Sequence, residues 1–445
     1  MGRTAPNPPV AAVALLWLDA NREYMILTGS TEVAGGRHAE IVVLDKVQAV
    51  QDSAPQWFEA AIYLFVTLEP CTHYGRTPPC SLRISQTRSI KKLIIYARDP
   101  YLQQGVQDYL LQRNRSLKIR FKNPAKRLAR KARPDFSLPG FLKRIQHRRP
   151  RLHCKIACTA NGLVGVHSQR LLISGKQALT LGMRLRAHLD AVVVGPNTTR
   201  IDDPALVLRL EQYAASSLDF QRVNSAELDQ QVYAAAAIKE LFSRTKDRVP
   251  LSDQDHWRNL ATTLAEQLFD VPPAQAIAQD SMDYQPERIY LLGHWNSAWW
   301  HSFQARQTQL RTEARAARLV LPSKYKSSWP AHALAHIDVL LTRTNWMAEF
   351  LDWSGQFFND ILFECGPGLW QLIQPEMQAQ DLLWLLVSHK RDSDLFSGQK
   401  SPLGLFNGQE GPVLRLPNNA FHMLEVLAVY GGPEDDLILA RQRNS

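Results

Sequence analysis

The sequence predicts an α/β protein built from two successive units, and three observations carry that reading. Through residues 10–121, short apolar runs alternate with helix-compatible stretches, the pattern of strands linked by helices. A second alternation begins at residue 152, with further strand-like runs at 190–195 and 360–364. Between the two lies a stretch rich in proline, lysine and arginine, which reads as a connector. The expected division is 1–123, a basic linker at 124–150, and 151–445 with an unmatched insert at about 210–285.

Taken in order, Pro6-Asn7-Pro8-Pro9 cannot be helical, because each proline fixes its own φ and restricts the residue before it. Residues 10–17 and 24–27 are apolar enough to pair as a hairpin. Gly35-Gly36-Arg37 turns the chain into a helix over 39–50, with His38 and Glu40 at its first turn. A buried strand at 61–68 delivers Cys71 to the end of the sheet. Cys80 opens the next helix, whose N-terminal dipole favours a thiolate. Strands at 91–97 and 117–121 complete a mixed sheet. In the second half, 152–159 is a strand ending in the turn Ala160-Asn161-Gly162. A helix ends at Arg186-Ala187-His188, and 190–195 has the continuous apolar character of a parallel strand. Residues 360–369 read as strand, glycine turn and helix, where backbone N–H groups can approach a phosphate. The insert, with Ala234-Ala235-Ala236-Ala237 and many glutamines, reads as helical and surface-borne.

Composition narrows the class. The chain has 445 residues, enough for each unit to bury its own core. No run of about eighteen apolar residues occurs, so no membrane span is expected. The start lacks the apolar core of a signal peptide. Of five cysteines, Cys154, Cys158 and Cys365 sit in apolar surroundings and read as reduced core residues, which suits a cytoplasmic protein. The net charge of +10 is concentrated between 122 and 151. That stretch lacks interleaved aromatic residues, so it reads as a solvated connector or an attraction for phosphorylated substrates rather than a nucleic-acid surface.

The densest chemistry lies in His38-Ala39-Glu40 and in the run Thr67-Leu68-Glu69-Pro70-Cys71-Thr72-His73-Tyr74-Gly75-Arg76-Thr77-Pro78-Pro79-Cys80. Catalytic zinc takes three protein ligands and keeps a fourth position for water. His38, Cys71 and Cys80 are the candidate ligands. Glu40, two residues past the histidine, is placed to move protons for the reaction instead of binding the metal. His-x-Glu followed by Pro-Cys and a further Cys is the pattern of zinc-dependent base deaminases. Here eight residues separate the two cysteines, where nucleoside deaminases usually have two.

This run closely resembles the deaminase domain of the bifunctional riboflavin-biosynthesis deaminase/reductase, the RibD family. The stretch from Leu185-Arg186 through Asp190-Ala191-Val192-Val193-Val194-Gly195-Pro196-Asn197-Thr198-Thr199-Arg200-Ile201-Asp202-Asp203-Pro204 to Arg209 resembles its reductase domain. The resemblance implies a cytidine-deaminase-like α/β/α sandwich followed by a dihydrofolate-reductase-like α/β domain. It also implies Zn2+ and NADPH as cofactors and a phosphorylated pyrimidine as substrate. Carried over by position, Asn7 contacts the pyrimidine or ribose, and Ala157, Thr198 and Asp202 face NADPH. Arg186, Leu206 and Arg209 face the sugar phosphate, Glu364 belongs to the substrate and Gly366 to the cofactor. Leu172 falls where the family has a tryptophan beside the nicotinamide. Thr31 replaces a histidine, and Asn161 an aspartate. The helix that precedes the Pro-Asn-Pro turn in the family has no counterpart ahead of it here, so one flank of the first sheet is expected to be bare.

The activity expected from the resemblance is hydrolytic deamination of a diamino-ribosylamino-pyrimidinone phosphate, then reduction of its ribosyl group to ribityl. Two rivals share parts of this reading. A nucleic-acid base deaminase would use the same ligands, but the long Cys-x8-Cys and the second αβ unit argue against it. A deaminase with an inactive reductase-like scaffold is the nearer rival, kept in view by Asn161 and Leu172. A homo-oligomer is compatible with the sequence and not decided by it.

Overall fold

The computed structural model describes residues 4–19, 22–75, 77–100, 102, 105–114, 116–122, 138–166, 171–209, 217–223, 238–239, 241, 262, 265–270, 285–310, 317–390, 395 and 413–442. Arg76, linker positions 124–137 and most of the insert lie outside them. The chain divides into two compact units, Arg3–Arg148 and Arg149–Ser445.

The first unit is a five-stranded mixed sheet in the order β2-β1-β3-β4-β5. Its strands are β1 (Ala11–Leu18), β2 (Glu23–Ser30), β3 (Ala61–Val66), β4 (Ile90–Ile95) and β5 (Lys118–Phe121). β1 runs antiparallel to both β2 and β3, whereas β3, β4 and β5 are parallel. Alternation along β1 buries Ala12, Ala14, Leu16 and Leu18 on one face, the period-2 consequence of the pleat. Helix α1 (Ala39–Ser53) buries Ala39, Val43, Leu44 and Val47, a stripe at helical spacing. Its approach to β2 is close: a Cβ on Gly29 would stand 2.6 Å from the Ala39 carbonyl oxygen. Only glycine lets the helix lie so near the strand. Helix α2 is Cys80–Gln86, α3 is Val106–Leu111 and α4 is Leu138–His147. α4, which falls in the expected linker, packs Phe141, Leu138, Leu142 and Ile145 against the core of the first unit.

The second unit is a ten-stranded sheet in the order β12-β11-β10-β8-β13-β6-β14-β17-β16-β9. β6 (Arg151–Thr159), β8 (Ala191–Val194), β10 (Glu287–Leu291), β11 (Ala317–Pro322), β13 (Asp360–Glu364) and β14 (Leu382–Ser388) are interior and parallel, and β12 (Val339–Leu341) continues them in parallel at one edge. β17 (Asp435–Gln442), β16 (Leu424–Gly431) and β9 (Gln221–Val223) extend it antiparallel. A separate two-stranded antiparallel sheet pairs β7 (Leu163–Val166) with β15 (Val413–Arg415). The central parallel strands are covered on both faces, which is why they read as unbroken apolar runs.

The insert departs from expectation. β9, inside it, is an edge strand of the main sheet, and Ile238, Leu241 and Leu268 are buried. Arg184, itself buried, donates to the carbonyls of Leu268 and Phe269 at 2.8 and 2.9 Å. Residues 238–239 and 265–269 are helical, as the composition suggested, but their apolar side chains are buried instead of surface-borne; Ala234-Ala235-Ala236-Ala237 lie outside the described residues. Among the described residues no helix is long and apolar enough to cross a membrane.

Leu268→Ala is expected to lower stability by about 2–5 kcal/mol, as truncation of a buried leucine does. Urea denaturation followed by tryptophan fluorescence checks this. A change within about 0.5 kcal/mol would instead restore a surface position.

Candidate active site

The first site forms where α1, the loop after β3 and α2 converge. His38 stands at the N-cap of α1 in extended conformation and uses no side-chain cap, so its imidazole is available elsewhere. Cys71 follows β3 in sequence, and Cys80 is the first residue of α2. His38 Nδ1 lies 3.7 Å from Cys71 Sγ and 3.3 Å from Cys80 Sγ. The Cys80 backbone N–H donates to Cys71 Sγ at 3.2 Å. The opening of α2 therefore serves the sulfur of Cys71 as well as carrying Cys80.

Electrostatics here are governed by burial. The Cys80 thiol hydrogen-bonds to Cys71, and against the cost of burial this holds Cys71 down at about 4. The same sharing, with burial, pushes the Cys80 thiol far up. One negative charge thus occupies two sulfurs. The His38 imidazole is raised by its hydrogen bond to Cys71, which outweighs its own burial. Glu40 is 3% exposed, and burial, with the charge of Cys71, pushes its carboxyl up to about 7.

The ligand atoms of His38, Cys71 and Cys80 lie within 4.8 Å of one another. A tetrahedral zinc ion, with Zn–S of about 2.3 Å and Zn–N of about 2.0 Å, sets its nitrogen and sulfur ligands about 3.6 Å apart. The observed spacings bracket that value, and a cation would relieve the sharing of one charge by two sulfurs. These residues fit zinc.

Sequence reasoning missed Glu69. Its carboxylate accepts from the Val106 and Asp99 backbone N–H groups at 3.0 and 3.3 Å, anchoring the loop that carries Cys71. The only local signal was an acid between a strand and Pro70. Asn7 lies in a turn closed by its own N–H donating to the Thr4 carbonyl at 2.8 Å. Arg144 donates to the adjoining Pro6 carbonyl at 2.5 Å. The Thr31 hydroxyl accepts from the Val10 N–H at 3.1 Å.

In the second unit the candidates gather at the C-terminal ends of the parallel strands, the edge where open α/β sheets bind ligands. Helix α5 (Lys176–His188) presents Arg186, whose Nε and Nη2 donate to the two Glu364 oxygens at 2.8 and 2.7 Å. Arg186 Nη1 also donates to the Val207 carbonyl at 3.3 Å. Burial would raise the Glu364 carboxyl, but the charges of Arg186, Lys155 and Arg209 hold it at about 2. Lys155, beside Glu364 in the β6–β13 register, was not anticipated, although a lysine inside an apolar strand was its signal. Arg209 is exposed.

Helix α6 (Pro196–Ile201) follows β8 and carries Thr198; a Cβ on Gly366 would lie 3.8 Å from its hydroxyl. The N–H of Asp202 closes that helix on the Thr198 carbonyl. Ala157 is half-buried on β6, opposite Leu386. Leu206 is buried, with φ at 56°. Leu172 is 55% exposed, and its carbonyl accepts from Lys390 Nζ at 3.2 Å. A cleft of about 200 Å³ opens beside these turns, lined by Asn197, Arg200, Gly293, His294, Tyr325 and Trp329 among others. Its aromatic wall went unseen in the sequence because its residues follow two different strands, β10 and β11.

Fold and site define a two-unit α/β protein in which a cytidine-deaminase-like unit precedes a dihydrofolate-reductase-like one. No protein-family model matches the chain. It is 33% identical over 209 residues to the riboflavin biosynthesis protein RibD of Corynebacterium ammoniagenes, covering 47% of this chain and 56% of the relative. RibD of Aquifex aeolicus is 32% identical over 209 residues, 53% of its length. RibD of Synechocystis is 29% identical over 290 residues, 63% of this chain and 71% of that one. The chain thus spans about half the length of the first two relatives. By structure it is similar to a Thermotoga maritima diaminohydroxyphosphoribosylaminopyrimidine deaminase/5-amino-6-(5-phosphoribosylamino)uracil reductase, with TM-score 0.59 and 19% identity over 100% of this chain and 94% of that one. Acinetobacter baumannii RibD gives 0.58 and 18%, over 99% and 94%. In sequence and in fold the chain is thus similar to RibD proteins.

The Arg186–Glu364 pair generates a prediction. The Glu364 pKa is depressed on folding, so its stabilisation is fully present above the unfolded carboxyl value, near 4.5, and is lost as pH falls toward about 2. Urea denaturation of the wild type and Glu364→Gln across that window should show the stability difference shrinking as pH falls. A difference independent of pH would refute the ionised pair.

Proposed function

We propose that this protein is a zinc-dependent hydrolytic deaminase of a phosphorylated pyrimidine and an NADPH-dependent reductase of the deaminated product. The observation that carries the first half is the convergence of His38, Cys71 and Cys80 within 4.8 Å, in the same buried setting as Glu40. By analogy with the RibD relatives, the substrate is 2,5-diamino-6-ribosylamino-4(3H)-pyrimidinone 5′-phosphate. Zinc, when bound, supplies a Lewis acid that makes water nucleophilic near neutral pH. Hydrolysis exchanges the ring amino group for oxygen and releases ammonia. Glu40 is the proton carrier: its carboxylate takes a proton from the attacking water and returns it to the departing nitrogen. A carboxyl raised by burial is suited to both roles near neutrality, since its pKa lies close to the working pH. Glu69 and the α2 N–H hold Cys71 so that the ligand set stays assembled. Asn7 is the proposed contact to the pyrimidine or ribose.

In the second unit NADPH supplies the hydride. Thr198, Asp202, Ala157 and Gly366 are the proposed cofactor contacts, with the aromatic cleft at Tyr325 receiving its nucleotide end. Arg209, exposed near the Arg186–Glu364 pair, offers the cation for the substrate phosphate. Arg186 is held by Glu364, so its part is to orient that carboxylate. Leu172, 55% exposed, favours a variant of this reading in which the nicotinamide is weakly packed and reduction is slow.

Purified protein given the pyrimidine phosphate, with and without NADPH and with products resolved by mass, tests both halves. Metal analysis should give about one zinc per chain, reduced in Cys71→Ser and Cys80→Ser; undiminished zinc would remove them as ligands. Glu40→Gln should keep zinc and lose deamination by about 10²–10⁴-fold. Near-normal turnover would exclude the carboxylate as proton carrier. Fluorescence titration with NADPH reads the second half directly, and absence of binding at millimolar cofactor would leave a scaffold in place of a reductase.

A further inference from the structure

The loop at residues 203–207 departs from ordinary backbone geometry. Asp203 and Leu206 both have positive φ, 41° and 56°, a region in which side chains other than glycine are strained. Leu206 is nevertheless 1% exposed, so its side chain is fixed inside the unit. The carbonyls of this loop accept hydrogen bonds from side chains on other elements. Arg306, on the helix Ser297–Gln309, donates to the Asp203 carbonyl and carboxylate, and Ser302 donates to the same carboxylate at 2.7 Å. On β10, the Tyr290 hydroxyl reaches the Pro204 carbonyl at 2.7 Å and the Ala205 carbonyl at 3.2 Å. Arg288, on the same strand, donates to the Ala205 carbonyl at 3.1 Å and to Gln307 at 2.7 Å. Arg186 closes the series on Val207.

Tyr290 is 0% and Arg288 2% exposed. Burying a guanidinium and a phenol is costly unless they are hydrogen-bonded. Here their partners are backbone carbonyls of one short loop. Such an arrangement imposes a backbone shape that the loop sequence does not favour by itself.

We infer that Tyr290, assisted by Arg288 and Arg306, is a positioning residue that holds loop 203–207 in its strained form and so presents Arg209, just beyond the loop, to the sugar phosphate of the reductase substrate. The inference rests on the reductase reading above for its consequence, but the clamp itself is a property of the fold. Nothing in the local sequence announces it: Tyr290 lies more than eighty residues beyond the loop it holds.

Tyr290→Phe tests it, because the ring, and its edge-on contact with Phe303 at 5.1 Å, survives while the hydroxyl is lost. The KM for 5-amino-6-(5-phosphoribosylamino)uracil should rise about tenfold, on the scale of one buried hydrogen bond. The KM for NADPH and the deaminase rate should stay unchanged. Hydrogen exchange read by mass spectrometry on the intact protein should speed up about fivefold or more at amides 205–209 and not across β10. Arg306→Gln, which releases the loop from the helix side, should give the same signature. Unchanged exchange at 205–209 in both variants would overturn the clamp, whatever the activity. Faster exchange with an unmoved substrate KM would overturn its role in presenting the substrate. A wild-type protein that does not reduce the uracil phosphate would fail the reductase reading, and exchange would then decide the clamp alone.

Discussion

Burial of charge is the constraint around which both units are arranged. An ionised group removed from water must find a partner or give up its charge. In the first unit two sulfurs share one negative charge beside an imidazole, and the nearby carboxyl of Glu40 is driven toward neutrality. In the second unit the opposite solution appears. Glu364 keeps its charge because Arg186 meets it with two parallel hydrogen bonds and other cations surround it. The first arrangement gathers three ligand atoms able to hold a cation beside a carboxyl of intermediate acidity; the second leaves a fixed, preorganised ion pair.

The same constraint explains the far end of the main sheet. Arg151 pairs with Asp360 at 2.6 Å, and His153 lies 3.1 Å from the same oxygen. Burial lowers the pKa of His153. Its Nε2–H donates to Asp360 while Nδ1 accepts from Trp384 at 3.3 Å. These groups close the N-terminal ends of β6 and β13, opposite the edge where the candidate ligand contacts lie. Their chemistry is absorbed internally, which is what distinguishes a structural charge cluster from one open to substrate.

Strand polarity then sorts function from support. Thr198, Gly366, Glu364, Gly293 and Tyr325 all follow or end parallel strands, so their turns emerge at one edge. Interior strand positions are apolar because neither face of the sheet meets water. Lys155 and Tyr290 are polar residues farther along β6 and β10, past Arg151, His153 and Arg288, and they approach Glu364 and the 203–207 loop respectively. A polar residue inside an apolar run is therefore informative, provided its partner can be found.

What the sequence by itself determined was local. Strand and helix periodicity, the glycine and proline turns, and the order His38, Glu40, Cys71 and Cys80 were all legible, because each depends on residues close together in the chain or on the chemistry of a single side-chain type. The convergence of His38, Cys71 and Cys80 was legible as well, since thiolate and imidazole are the ligand types that suit zinc. Tertiary structure alone decided the rest. It buried the described apolar residues of the insert, Ile238, Leu241 and Leu268 among them, where composition suggested a surface position. It joined Arg186 to Glu364, anchored the Cys71 loop through Glu69, and assembled an aromatic cleft from segments far apart in sequence. These are long-range pairings, and a sequence states which groups must be satisfied on burial but not which of many chemically equivalent partners the fold will bring within hydrogen-bonding distance.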